Sequence, residues 1–203
     1  RGELQFPKII PHSDGAGTII DVGEGVDKNR IGERVWIWNG AFGRAFGTCA
    51  ELISLPEFQA AKINDSVDFK SAACMGIPAS TAYYGIFANG SVKDKTVLIS
   101  GGAGAVGFYG IQLAKLSGAN VISTISSDEK AEVAQEAGAD KVINYKNEDV
   151  VEEIMNYTDN KGVDRIFEVE FGGNLSINEK VLKSNGVIAA SVSYTHLRAH
   201  ETG

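Results

Sequence analysis

The spacing of apolar and polar positions changes partway along the chain. Up to residue 65 the signal is strand-like. Gly17-Thr18-Ile19-Ile20-Asp21-Val22-Gly23 alternates and closes in Gly23-Glu24-Gly25, a turn signal. Glu33-Arg34-Val35-Trp36-Ile37-Trp38 reads as a second strand, and residues 50–55 as a third, stopped by Pro56. Gly40, Gly43 and Gly47 punctuate the loop between the last two. Short strands with glycine turns predict a small barrel or sandwich. After Asp65 the period lengthens. Residues 71–75 and 80–87 read as helices, broken by Gly76-Ile77-Pro78. Strands at 96–100, 120–125, 141–144, 165–169 and 187–191 then alternate with helices at 105–117, 128–137, 149–157 and 175–183. Gly118 and Gly138 sit where helix C-terminal glycines belong. This alternation predicts an α/β architecture, a doubly wound parallel sheet with its ligand at the carboxyl ends of the strands. There is no internal repeat and no low-complexity segment.

Composition narrows the classes. The 203 residues are 43% hydrophobic, enough for one large core or two small ones. A formal net charge of -7 argues against nucleic acid and anionic membrane as partners. No apolar run approaches the ~20 residues that a membrane-spanning helix needs. The two cysteines, Cys49 and Cys74, lack a paired spacing and are expected to be buried free thiols in a reducing cytosol.

The densest chemistry lies in Gly101-Gly102-Ala103-Gly104-Ala105-Val106-Gly107, between the strand at 96–100 and the helix at 105–117. Read from Gly102 it is G-x-G-x-x-G. Such glycines allow a tight turn and bring backbone N–H groups and a helix N-terminus against a pyrophosphate. Gly102, Gly104, Ala105, Val106 and Gly107 are therefore candidate cofactor contacts. A site for NAD places Asp or Glu about 20 residues further on, at the tip of the second strand. Here that tip is Ser123-Thr124-Ile125-Ser126-Ser127, with no carboxylate. Asp128 and Glu129 suit the first turn of the next helix, and Lys130 can reach back to a 2′-phosphate. This favours NADPH over NADH. On local sequence alone, Lys130 serves equally well as a solvated helix lysine.

Several blocks in order carry a resemblance. They are Pro11-His12-Ser13-Asp14-Gly15-Ala16-Gly17, Gly32-Glu33-Arg34-Val35-Trp36, Gly43-Arg44-Ala45-Phe46-Gly47-Thr48 and Gly76-Ile77-Pro78-Ala79-Ser80-Thr81-Ala82-Tyr83. The glycine loop follows, then Gly138-Ala139-Asp140, Val142-Ile143-Asn144-Tyr145 and Asn185-Gly186-Val187-Ile188-Ala189. Over residues 7–193 the chain resembles the zinc-independent, zeta-crystallin-like quinone oxidoreductases of the medium-chain dehydrogenase/reductase superfamily. The resemblance implies a partial GroES-like substrate domain over 1–77 and a Rossmann NADPH-binding domain over 78–193. It implies Thr81 near the nicotinamide, and Ser126, Lys130 and Tyr145 around the 2′-phosphate. Without Lys130 beside it, Tyr145 would read as a half-buried strand-end aromatic. Phe171 and Ser193, at later strand ends, are candidate nicotinamide neighbours. The implied activity is hydride transfer from NADPH to a quinone or conjugated carbonyl acceptor, in a cytoplasmic homodimer. The alternatives are an enoyl or alkenal reductase and a non-catalytic, crystallin-like NADPH binder.

The departures from the family pattern also matter. The family's opening segment has no counterpart here, and residues 194–203 fit no family position. The chain is therefore expected to be a fragment ending in a non-native tail. In the zinc alcohol dehydrogenases a Gly-His-Glu triplet supplies a metal ligand. Here the aligned residues are His12-Ser13-Asp14, which predicts no metal, with His12 and Asp14 supporting the turn before the first strand. His196 and His200 share a helical spacing but lack a third ligand in convincing context. Trp36 is expected in the core, while Trp38 and Phe42 suit either a core or an aromatic substrate pocket. No catalytic triad or acid pair is apparent, and hydride transfer does not demand one.

Overall fold

Strands β1 (Gly15–Thr18), β2 (Arg34–Ile37) and β3 (Ala60–Lys62) form an antiparallel sheet in that order. The computed structural model describes residues 6–191, so Ser193 and the 194–203 segment lie outside the described residues. Two units divide between Ser80 and Thr81.

In the first unit, Val35 and Ile37 are the buried face of β2. Trp36, expected in the core, is only half-buried because strand alternation turns it to the other face. The 50–55 run is not a strand. Strand β2 already has β1 on one side and β3 on the other, so 50–55 finds no open backbone there. Chain reversal at Pro56 and the 3-10 turn Glu57–Gln59 delivers Ala60–Lys62 instead.

Helix α1 (Phe69–Ala73) is capped by Asp68, whose carboxylate accepts the Ser71 N–H at 3.0 Å. Helix α2 (Gly76–Phe87) begins at the residues expected to break it. Pro78 is tolerated there because the first turn has no use for its missing N–H. Asp14 Oδ1 accepts the Ile77 N–H at 2.7 Å. Asp14 thus serves the start of α2, and not the turn before the first strand.

The second unit alternates β4 (Thr96–Ile99), α3 (Ala105–Leu116), β5 (Asn120–Ile125), α4 (Asp128–Glu136), β6 (Lys141–Asn144), α5 (Val150–Tyr157), β7 (Val163–Glu168), α6 (Phe171–Val181) and β8 (Leu182–Ala190). The five strands form a parallel sheet in the order β6-β5-β4-β7-β8. This is the doubly wound Rossmann arrangement, and the order reverses on either side of β4. Strands β4, β5 and β7 are buried on both faces, as a sheet covered by helices on both sides requires. Val97, Ile99, Val121, Ile125 and Phe167 pack with Ile111 and Ala114 of α3, Ala134 of α4 and Ile86 of α2. Leu98, Ile122, Ile143 and Ile166 face the other way, toward Val150 and Ile154 of α5 and Val181 of α6.

Two contacts hold α2 on this sheet. A Cβ on Gly85 would overlap the Phe167 ring, so glycine sets their close approach. Arg165, 1% exposed, donates to the carbonyls of Ile86, Asn89 and Gly90 at the end of α2. Burial pulls its pKa down, but guanidinium remains protonated and suits a helix C-terminus. Helix α6 begins at Phe171, ahead of the expected 175, because Gly172 and Gly173 are taken into its first turn. Strand β8 starts early, at Leu182. Its register then jumps from Val163↔Leu182 to Arg165↔Val187, and Asn185 adopts φ 64 in the excursion between.

Asp164, entering β7, accepts the Thr96 N–H and Lys183 Nζ, each at 2.8 Å. Burial pushes its carboxyl up, but Lys183 and the Thr96 N–H outweigh burial and hold it below the ordinary value. A depressed folded pKa stabilises above the unfolded value, about 4, and the contribution is lost as pH falls through the folded value. Asp164→Asn should melt below wild type at pH 7. The two melting temperatures should converge as pH drops below about 4; thermal melts across that range are the check.

Candidate functional site

Strand β4 ends beneath a backbone turn that only glycine can make. Gly101 adopts φ 66. A Cβ on Gly102 would overlap Ser123 Oγ, and one on Gly107 would overlap the Gly101 carbonyl. Gly102 thus lets the loop lie on β5, and Gly107 lets α3 lie on the loop. Gly104 differs. Its φ is -78, and the nearest atom to an added Cβ is Gly101 O at 3.2 Å. That contact is tight but much looser than those at Gly102 and Gly107, and the residue is exposed. Gly104 is the N-cap of α3 and offers no side chain to the helix. The N–H groups of Ala105, Val106 and Gly107 precede the first bond of the helix, Phe108 N–H to Gly104 O at 2.8 Å. An open approach at Gly104 toward these donors fits a bound phosphate group.

The loop continues along the carboxyl edge of the sheet. Gly102 N–H donates to Thr124 O at 3.1 Å, and Gly101 N–H to Thr124 Oγ1 at 3.3 Å. Beyond the β5 tip, Lys130 Nζ donates to Ser126 Oγ at 2.8 Å. The Tyr145 N–H donates to Ile125 O at 3.1 Å, which brings the exit of β6 beside Ser126. The Tyr145 side chain is 52% exposed, so it lines an open rim. No carboxylate stands at this tip; Asp128 and Glu129 lie in the first turn of α4. Thr81, half-buried, stands one turn before Gly85 on α2, and Phe171 opens α6 beyond β7.

Sequence reading missed Glu168. It ends β7 with 1% exposure, and among the described residues no Lys, Arg or His forms an ion pair with it. Its Oε1 accepts Ser100 Oγ at 2.5 Å, the Glu170 N–H at 2.8 Å and Asn174 Nδ2 at 3.0 Å. Its Oε2 accepts Asn178 Nδ2 at 2.9 Å. A carboxylate directly after the apolar pair Ile166-Phe167 was the available signal, but its side-chain donors come from the end of β4 and from α6. Leu98, Ser100, Thr124, Tyr145, Glu168 and Asn178 share the wall of a cavity of about 360 Å³.

Elsewhere, Trp38 Nε1 donates to Phe58 O at 2.9 Å, and Phe42 is 76% exposed. Cys49 and Cys74 are free but exposed, not buried as expected; both lie outside the regular strands and helices.

The zinc-binding dehydrogenase family matches residues 105–191. The quinone oxidoreductase of Rattus norvegicus is 32% identical over 177 residues, covering 87% of this chain and 53% of the relative. Quinone oxidoreductase 1 of Escherichia coli (strain K12) is 33% identical over 172 residues, covering 83% and 51%. The structure of Escherichia coli quinone oxidoreductase complexed with NADPH superposes with TM-score 0.78 at 28% identity, over 91% of this chain and 57% of that one. The chain spans about half the length of the curated relatives it matches. A parallel sheet with a glycine turn at its switch point defines a Rossmann unit. The family match and these relatives support the quinone oxidoreductase branch of the medium-chain dehydrogenase/reductase superfamily for the residues they cover.

A zinc site does not fit the residues described. Asp14 is engaged with α2, and the Ser13 carbonyl accepts Gly40 N–H at 2.7 Å. Among the described residues, no three His, Cys, Asp or Glu side chains group to hold a metal. Among them too, no helix is long and apolar enough to cross a membrane.

The glycine geometry separates packing from ligand contact. Gly107→Val should cost about 3 kcal/mol or more, because backbone must move. Gly104→Val should cost about 1 kcal/mol, for a poorer N-cap and a tight contact. Chemical denaturation of the two variants measures the difference.

Proposed function

We propose that the glycine loop seats the pyrophosphate of NADPH, and that the whole protein is an NADPH-dependent oxidoreductase acting on quinones or conjugated carbonyls. The observation that carries this reading is Gly104, exposed at the N-cap of α3 beside its first N–H groups and far less crowded by protein than Gly102 or Gly107. The Ser126–Lys130 pair gives the 2′-phosphate a cation and a hydroxyl where an NAD site would carry a carboxylate. The NADPH complex of the Escherichia coli relative supports the same cofactor.

NADPH, when bound, supplies the hydride. In this reading Gly102 and Gly104–Gly107 orient the pyrophosphate. Ser126, Lys130 and Tyr145 hold the 2′-phosphate end. Thr81 and Phe171 border the nicotinamide, with Ser193 a further neighbour beyond the described residues. No side chain is assigned as proton donor. An electron-poor quinone needs no strong acid to accept a hydride, and water or a hydroxyl can protonate the product. Domain limits at 1–77 and 78–193, a cytoplasmic setting and a homodimer belong to the same proposal.

Lys130→Ala should weaken NADPH binding about ten- to a hundredfold, the worth of a charge-assisted hydrogen bond. NADH binding should hardly change, since it has no 2′-phosphate. Fluorescence titration of both cofactors is the measurement. Equal wild-type affinity for NADPH and NADH would overturn the cofactor assignment. NADPH oxidation with a panel of quinones, on the complete gene, tests the acceptor.

A further inference from the structure

Ser100 adds a side-chain tie where β4 and β7 are already paired, its own N–H donating to Phe167 O at 3.0 Å. It is 4% exposed and immediately precedes the glycine loop. Its Oγ donates to Glu168 at 2.5 Å and accepts the Val169 N–H at 2.9 Å. Glu168 in turn gathers the Glu170 N–H and the amides of Asn174 and Asn178. One carboxylate therefore ties the last residue before the loop to the exit of β7 and two turns of α6. A carboxylate buried without a cation is costly unless several donors surround it, and four do so here.

We propose that Glu168, acting through Ser100, is a positioning residue that sets the glycine loop in its cofactor-binding geometry. The inference rests on reading the loop as the pyrophosphate seat. The loop's own ties are few: Gly101 and Gly102 to Thr124, and the Gly104 N–H to Gly101 O at 2.9 Å. Ser100 is the side-chain anchor at the loop's entry, and Glu168 fixes the Ser100 hydroxyl.

The arrangement supplies its own control. Three of the four donors meet Oε1, so glutamine can keep them with its carbonyl oxygen. Its amide would then face Asn178 Nδ2, donor against donor. Asn178 Oδ1, however, is buried without a partner, so a flip of that amide turns an acceptor toward the new donor. Glu168→Gln should fold and keep the loop. Glu168→Met would leave all four donors without an acceptor.

The test uses the full chain and two readouts, NADPH affinity and amide hydrogen exchange at Gly101–Gly104. In Ser100→Ala, affinity should fall tenfold or more and loop exchange should rise by at least as much, while exchange inside α3 stays near wild type. Glu168→Met should follow Ser100→Ala. Glu168→Gln should stay within about threefold of wild type, the small change expected when hydrogen bonds are exchanged and none is lost. Wild-type affinity and exchange in Ser100→Ala would overturn the inference. So would a Glu168→Gln variant that folds but loses the loop, since negative charge and not position would then matter. If Glu168→Met does not fold, Ser100→Ala and Glu168→Gln decide. If wild type binds no NADPH, the cofactor reading fails, while the exchange comparison still reports whether Ser100 and Glu168 hold the loop.

Discussion

The second unit depends on how closely α3 can approach the end of β4. A parallel strand must hand its chain to a helix that returns across the sheet, and here the hand-over occurs within a few residues. Gly107 permits it, because any side chain there would strike the Gly101 carbonyl. Gly102 permits the loop to rest on Ser123 at the neighbouring strand. With those two contacts made, Ile111 and Ala114 reach Val97 and Ile99, and one face of the sheet is closed. The same geometry leaves the first N–H groups of α3 pointing outward. The binding feature thus follows from the packing solution.

The parallel sheet was largely legible in the sequence. Strands β5 and β6 fall where the apolar runs place them, and β4 and α3 end within a residue. Gly118 and Gly138, at φ 81 and 105, close α3 and α4 as their positions suggested. Such strands are buried on both faces, so their signal is continuous and their limits are sharp. The first unit was less legible. The run at 50–55 is largely apolar, but pairing is decided by which side of β2 is open, and Ala60–Lys62 takes that place. The start of α2 was hidden because its partner, Asp14, lies 63 residues earlier.

For the candidate site, the glycines and the reach of Lys130 could be read from local sequence, while Ser126 came only from the family resemblance. Lys130, in the first turn of α4, reaches back past the extended N-cap Ser127 to the Ser126 hydroxyl. Glu168 could not be read in this way. Its donors lie on β4 and α6, and its importance appears only when the β7 tip is set beside Ser100. Local spacing marks candidate contacts to a ligand. It conceals what holds the contacting residues.

The strand order also has a consequence for biosynthesis. Strands β4, β5 and β6 are consecutive in the chain and neighbours in the sheet, so they can associate as soon as they leave the ribosome. Strand β7 joins the opposite side of β4, and it brings both Arg165 for the end of α2 and Glu168 for Ser100. Non-local pairings of this kind carry a larger loop-closure cost and form late. A nascent chain halted before residue 163 would hold three strands and their helices, yet its glycine loop would have no anchor at Ser100. Competence for the cofactor would therefore be acquired after most of the sheet is already in place, in the step that docks β7.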